Sequence, residues 1–380
     1  MVKNNHQIEK NCFMDKIAII GTAPGQIGLY KKAKGAGFYT IGISWDITPE
    51  LIPYVDKYYQ ISILEKDRIV ELCKKESVQG IVSNGSELTI QIVSYVAEKL
   101  NLICTSYQTI LNIQDKYWMR NKTRNISGLS QPQYYLYDGK GIRFSPCVIK
   151  PTRGGGKVGV SYVSNTYDFQ KALSYAEEQK EPTLIEEYIE GLEVSVECIS
   201  YNGSHYVVQI TDKDTSGPPH FVELGHHQPS HISDYIKNQI KIIVPNILKE
   251  IGFTNGASHT ELKISKDNIF LIEVNPRGGG DEISTELVEL STGYDYLLSM
   301  IQVAIGQFRY SHIDNHLFSG IYFLMKQTEY LLPFFISAQT QPWYVKGEIG
   351  STDLKESLGN SMKNGFLIYK SDHKIIPNLC

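Results

Sequence analysis

The chain has little of what a membrane, a metal finger or a nucleic acid would need. No apolar run in its 380 residues approaches the roughly 18 that a spanning helix requires, so no membrane partner is expected. Its six cysteines (Cys12, Cys73, Cys104, Cys147, Cys198, Cys380) form no C-x-x-C pair and no metal-finger spacing, which fits a reduced cytoplasmic protein better than a disulfide scaffold. Positive charge is not concentrated: the net charge is −4, 21% of residues are charged, and Lys and Arg are interleaved with Asp and Glu. That is the pattern of a solvated surface, and nucleic acid is not an expected partner. The first residues, MVKNNHQIEKNCFM, are polar and have no apolar core, so no signal peptide is expected. MDKIAIIG from Met14 reads as the natural start, leaving 1–13 as a loose, disordered tail.

The length points to two or three domains. Residues 16–105 alternate short apolar strands (KIAII, YTIGI, GIVS) with helical spacing over 26–37, 65–75 and 86–100. This is a doubly wound α/β pattern with a parallel sheet. The first turn, GTAPGQIG, has Gly21, Gly25 and Gly28, not the G-x-G-x-x-G of a dinucleotide site. Asp46 lies near the place of a ribose acid, but the glycine spacing disfavours NAD and leaves a tight turn that can face a small substrate. Two short helices follow over 106–125, the second carrying DKYWMRNK. A strand-rich stretch runs to about 213, a loop rich in Gly, Pro and His covers 214–231, and an amphipathic helix covers 232–251. Helices are expected over 283–290 and 294–306. The tail from 312 to 380, with FSGIYFLMK and GFLIYK, reads as a small α+β cap.

Chemistry concentrates in HTELKISKDNIFLIEVNPRGGGD, residues 259–281. A hairpin centred on Asp267 makes Glu261 and Glu273 cross-strand neighbours, with Cβ atoms roughly 5 Å apart. Asn275, two residues on, points to the same face. Three hard oxygen donors with no cysteine nearby suit Mg²⁺. Arg277 reaches the same patch and can steady a phosphoryl group in transfer. Upstream, Lys150 ends a strand and Gly154, Gly155 and Gly156 follow, with Lys157 and Gly159 after them. Such a loop can close its N–H groups over an anion, although it also reads as a plain hairpin tip. In LIEEYIEGLEVS, the connector Glu186, Glu187, Tyr188, Ile189 offers backbone groups to an adenine edge, and Glu193 can hold ribose hydroxyls. Solvated acids on a loop are the bland alternative. Lys116 and Arg120 are four apart on one helix face; Lys116 is either a phosphate ligand or a surface lysine. Asp281 and Glu282 can receive an amino group or supply helix N-terminal charge.

Taken in order, these motifs resemble the ATP-grasp superfamily over about residues 14–310. The resemblance implies an ATP-grasp fold of α/β and α+β class. A doubly wound pre-ATP-grasp domain would cover 14–105, the ATP-grasp domain 106–310 with a lid over 140–190, and a small C-terminal α+β subdomain 311–380. It implies ATP as cofactor, with Lys116 and Lys150 on its phosphates, Glu186 to Ile189 as the hinge and Glu193 on the ribose. Two Mg²⁺ ions, with Mn²⁺ as a substitute, would sit on Glu261, Glu273 and Asn275, and Arg277 would serve the transition state. FVELGHHQPS is similar to the carbamoyl-phosphate-synthetase-like group that contains L-amino-acid ligases. In that group a Glu-x-Gly-His stretch lines the amino-acid pocket, here Glu223, Gly225 and His226, with His227 as an extra histidine. Gly280 would touch substrate, and Asp281 would favour a polar or cationic partner. The implied reaction is ATP-dependent joining of a small carboxylate and an amine through an acyl phosphate, in a chain that could pair as a homodimer. A bicarbonate-using carboxylase, a purine-pathway-type ligase and a non-catalytic nucleotide sensor are the competing readings.

Overall fold

The computed structural model of the protein describes residues 14–165, 167–313, 316–357 and 363–377; the expected tail, 1–13, lies outside them. Four strands, β1 (Lys16–Ile20), β2 (Tyr39–Ser44), β3 (Lys57–Gln60) and β4 (Gly80–Val82), form a parallel sheet in the order β3-β2-β1-β4. Helix α1 (Ile27–Gly35) links β1 to β2, a 3-10 segment (Pro49–Tyr54) links β2 to β3, α2 (Lys66–Glu76) links β3 to β4, and α3 (Glu87–Lys99) follows β4. Ile17 to Ile20 are fully buried, as expected of a parallel strand covered on both faces. The Ser86 hydroxyl caps α3 by accepting the Thr89 N–H, which fixes Glu87 in the first turn.

After α4 (Tyr107–Ile113) comes α5 (Lys116–Thr123), capped by the Asp115 carboxylate on the Trp118 N–H at 3.0 Å. The following strands are β5 (Leu129–Ser130), β6 (Tyr134–Leu136), β7 (Cys147–Pro151), β8 (Ser161–Val163), β9 (Thr183–Glu187), β10 (Leu192–Tyr201), β11 (Ser204–Thr215), β12 (Glu223–Gln228), β13 (Gly256–Ser265), β14 (Asn268–Asn275), β15 (Phe318–Leu324), β16 (Tyr344–Ile349) and β17 (Gly365–Ser371). Strands β6, β9, β7 and β8, in that order, make a four-stranded sheet. Phe169, Ala172, Leu173 and Ala176 of α6 (Phe169–Glu177) cover it at helical spacing. The remaining nine form one sheet, ordered β16-β17-β15-β12-β11-β10-β13-β14-β5. One face is packed by Ile236, Ile240, Ile243, Val244 and Ile247 of α7 (Asp234–Glu250). The C-terminal strands β15, β16 and β17 extend this sheet, with α8 (Leu332–Ala338) packed against them. No helix of the described residues is long and apolar enough to cross a membrane.

Two local outcomes differ from the sequence reading. The loop expected over 214–231 shrinks to 216–222, because Glu223–Gln228 is a strand. Gly and His have low strand preference, but β11 and β15 flank this segment and pair with it on both edges; tertiary pairing overrides propensity. The hairpin reaches its expected pair by another route. Lys266 (φ 48°) and Asp267 (φ 65°) form a two-residue turn of left-handed residues. From it the ladder runs Ile264↔Ile269, Lys263↔Phe270, Leu262↔Leu271, and then skips Ile272 to give Glu261↔Glu273 and His259↔Asn275. The turn is therefore centred before Asp267, and a bulge at Ile272 makes up the difference. Without the bulge Glu273 would point away from Glu261, since a one-residue slip exchanges the faces of a strand.

Candidate active site

A cavity of about 260 Å³ lies between the four-stranded sheet and the charged face of the nine-stranded one. The expected residues Lys116, Lys150, the Gly154–Gly156 loop, Glu186 to Ile189, Glu193, Glu223, His226, Glu261, Glu273, Asn275, Arg277, Gly280 and Asp281 all line it. Alternation along the strands accounts for the gathering. His259, Glu261 and Lys263 share one face of β13, and Glu193, Ser195 and Glu197 share one face of β10.

The oxygen patch is held by cations. Lys213, almost wholly buried, lies 2.7 Å from Glu261, 3.3 Å from Glu223 and 3.6 Å from Glu193. Burial pulls its ammonium down, but Glu261, Glu223 and Glu193 together overcome this and raise it well above the usual lysine range. Glu261 is correspondingly lowered: burial raises it, and Lys213 and His259 outweigh burial. His259 donates to Glu197 and lies 3.2 Å from Glu261. Burial lowers the His259 imidazole, and Glu197 and Glu261 prevail, lifting it to about 9. Glu197 also accepts the Gly279 N–H at 2.9 Å, tying the glycine run to the patch. Lys116 lies 2.8 Å from Glu273 and donates to the Gly154 carbonyl at 2.8 Å. Clustered carboxylates that need this many ammonium groups are a site with a demand for positive charge. Glu261, Glu273 and the Asn275 amide oxygen are the hard donors that a divalent cation would use.

Along the floor, Lys150 lies 2.5 Å from Glu186. Arg120 grips the same carboxylate with Nε at 2.6 Å and Nη2 at 3.2 Å. Burial raises Glu186, and Arg120 and Lys150 bring it down to about 2. Lys150 is lowered, because burial acts on it and Arg120 and Lys116 stand close by; Arg120 and Lys150 share the one carboxylate of Glu186. Glu186 is thus a buried anchor for Lys150, and the hinge's exposed polar groups begin after it. Lys263 donates to the Ile189 carbonyl at 3.1 Å and sits 4.8 Å from the centre of the Tyr188 ring. Phe221 packs against Tyr188 and Tyr162, and Lys157 of the glycine loop donates to its carbonyl.

At the opposite end, Arg277 lies 3.4 Å from Glu87 of α3, and its Nε has no hydrogen-bond partner among the described residues. His226 is buried with both ring nitrogens likewise unpaired; its Nε2 is 3.5 Å from Glu223 and 3.7 Å from Asp281. Asp281 is already paired with Lys363 at 2.6 Å, so its charge is not free for a cationic ligand. Glu223, His226 and Asp281 bring ligand atoms within 4.8 Å of one another. Lys213 and Lys157 lie beside the first of its carboxylates and Lys363 beside the second. His227 is not in this group: it is buried beside Tyr322 and Tyr369, 3.2 Å from Asp214.

The sequence reading missed Lys213, His259, Glu197, Glu87, Lys263 and Lys363. Period-two alternation could have found His259 and Glu197. Glu87 and Lys363 come from distant segments that only the tertiary fold brings near.

Residues 143–286 match a family described as the ATP-grasp domain. The chain is 23% identical over 291 residues to the carbamoyl phosphate synthase large chain of Clostridium beijerinckii, covering 69% of this chain and 27% of that one. It is 23% identical over 235 residues to the alanine–anticapsin ligase of Bacillus subtilis, covering 53% and 48%. The chain therefore spans between about a quarter and a half of the length of these relatives. The solved L-amino acid ligase of Bacillus licheniformis superposes with a TM-score of 0.79 at 20% identity, covering 94% of each chain. Residues 143–286 thus match the ATP-grasp domain, and the chain around them shares its fold with a solved L-amino acid ligase.

Proposed function

We propose that this chain is an ATP-dependent carboxylate–amine ligase that joins small acids and amines, amino acids foremost, with release of ADP and phosphate. One observation carries the reading. Three oxygen donors, five lysines and an arginine with an unpaired Nε converge in a single cavity beside an aromatic hinge. A transfer between two anions needs that density of opposed charge.

At the hinge, Glu187 N–H already donates to the Gln133 carbonyl and Tyr188 N–H to the Pro146 carbonyl. The connector's donor to an adenine edge is then Ile189 N–H, with Glu193 on the ribose. ATP phosphates would draw Lys116 and Lys150 from their carboxylates and meet the N–H groups of Gly154 to Gly156. Mg²⁺, two ions on Glu261, Glu273 and Asn275, would neutralise phosphate charge as the γ-phosphoryl moves. Arg277 would turn from Glu87 to the transferring group. The acid's carboxylate oxygen attacks the γ-phosphorus and ADP leaves. The amine then attacks the acyl carbon and phosphate leaves. Glu223 is held well below the usual carboxylate range: burial raises it, and Lys213, His226 and Lys157 overcome that. It is therefore a weak base, suited to orienting the amine, and His226, 3.5 Å away, would take the amine proton. The glycine loop and 216–222, linked through Lys157, would exclude water from the acyl phosphate. The absence of a spanning helix among the described residues suits a cytoplasmic enzyme acting on small molecules, alone or as a homodimer.

Phosphate release is measured over pairs of amino acids, with the acid labelled with oxygen-18 in its carboxylate. Turnover should require both partners, and label should pass from the acid to the released phosphate. Turnover with bicarbonate alone, or unlabelled phosphate, would refute the reading.

A further inference from the structure

The bulge that turns Glu273 toward Glu261 is gripped by one fully buried side chain. Arg120 lies on α5 one turn beyond Lys116 and has no exposed surface. Its Nη1 donates to the Leu271 carbonyl and its Nη2 to the Ile272 carbonyl at 3.0 Å. In a regular strand, successive carbonyls point to opposite sides; one guanidinium can take both only where a bulge turns them the same way. The neighbouring strand does not serve these carbonyls. β5 pairs with Ile269 and Phe270 and ends at Ser130, and the next residue, Gln131, itself accepts from Arg120 Nη1 at 3.3 Å. The rest of the guanidinium holds Glu186, and Glu186 holds Lys150.

We propose that Arg120 is a positioning residue: it fixes the β14 bulge that sets Glu273 opposite Glu261, and through Glu186 it sets Lys150 in the same frame. One helix face then governs both halves of the site, with Lys116 on the carboxylate itself and Arg120 on the backbone that aims it. The proposal rests on the reading of Glu261 and Glu273 as metal carboxylates, and goes beyond it in saying what creates their pairing.

The bulge makes the test specific. Deleting Ile272 joins Leu271, opposite Leu262, directly to Glu273, opposite Glu261. The ladder becomes regular and the carboxylate pair is kept. In the full-length protein, ATP binding is followed by calorimetry while MgCl₂ is varied, with circular dichroism as the control for folding. Arg120→Lys should raise the Mg²⁺ concentration needed for half effect by about 10- to 100-fold, more than it changes ATP affinity in EDTA. In the metal-free protein, the amides of Leu271 to Val274 should exchange faster with deuterium. In the Ile272-deleted background, Arg120→Lys should change the Mg²⁺ requirement less than about threefold. Arg120→Gln serves if the lysine variant does not fold. A guanidinium that merely fills the core would lower stability equally in both backgrounds and leave the Mg²⁺ requirement alone; that result overturns the proposal. Wild-type ATP binding indifferent to Mg²⁺ would overturn the metal reading first, and this proposal with it.

Discussion

At the scale of single residues, the site is a balance of buried charges, and His259 is the member whose state pH can change. Its imidazole is raised to about 9 against an ordinary value of 6.5. A raised folded value means that the charged form stabilises the fold: the contribution is complete below about pH 6.5 and is lost as pH rises through about 9. The melting temperature should fall across that window, with a stability loss of up to about 3 kcal/mol. His259→Gln should melt lower at pH 6 but lack the slope; a variant with the wild-type slope would mean that another group titrates. That Glu261, Glu273, Asn275 and Arg277 gather on one cavity was legible because two strands and a turn sit contiguously in sequence. Lys213 could not, because its three carboxylates arrive from β10, β12 and β13, and only the sheet order makes them neighbours.

At the scale of elements, the hairpin shows how far pattern reasoning reaches. Counting outward from a symmetric turn gave the correct cross-strand pair, yet the turn lies earlier and Ile272 supplies the missing residue. Nothing in LKISKDNIFLIEV marks the bulge, since Ile272 is an ordinary strand residue. Its cause is Arg120, 152 positions upstream. The strand at 223–228 was hidden for a related reason: its partners decide its conformation, not its own composition. The connector from β9 to β10 is fixed just as tightly. A Cβ on Gly191 would stand 2.2 Å from the Ile264 carbonyl oxygen, a backbone atom that cannot step aside without moving β13. Gly191→Ala should therefore lower the urea midpoint, by about 1–3 kcal/mol of stability. Gly25→Ala, where a Cβ meets nothing within 4 Å, should stay within about 0.5 kcal/mol of wild type. Equal effects would mean that the connector can move away from the hairpin.

At the scale of the whole molecule, the glycine turn whose spacing disfavoured NAD finds a place. Residues 21 to 28 border a second cleft of about 1,070 Å³, closed on its other sides by the 279–286 segment and by β15 to β17. The sequence could not show this cleft, because its walls come from the turn after β1, from β15 to β17 and from the loop after β14. Gly280 and Asp281 line both this cleft and the cavity described above, so the loop after β14 borders both. On the proposed reading the cleft would admit the acid and the amine, and ATP would occupy the inner cavity. A Cβ on Gly280 meets nothing within 4 Å, and no positive φ restricts the position, so a side chain there can project into the opening without disturbing the fold. Gly280→Leu should keep the wild-type melting temperature and bind ATP with Mg²⁺ normally. Its phosphate release with paired substrates should fall by about a hundredfold, as expected when a reacting group is held away from its partner. Lost ATP binding would place Gly280 in the nucleotide pocket proper. Unchanged turnover would mean that the two cavities do not exchange substrate at this point.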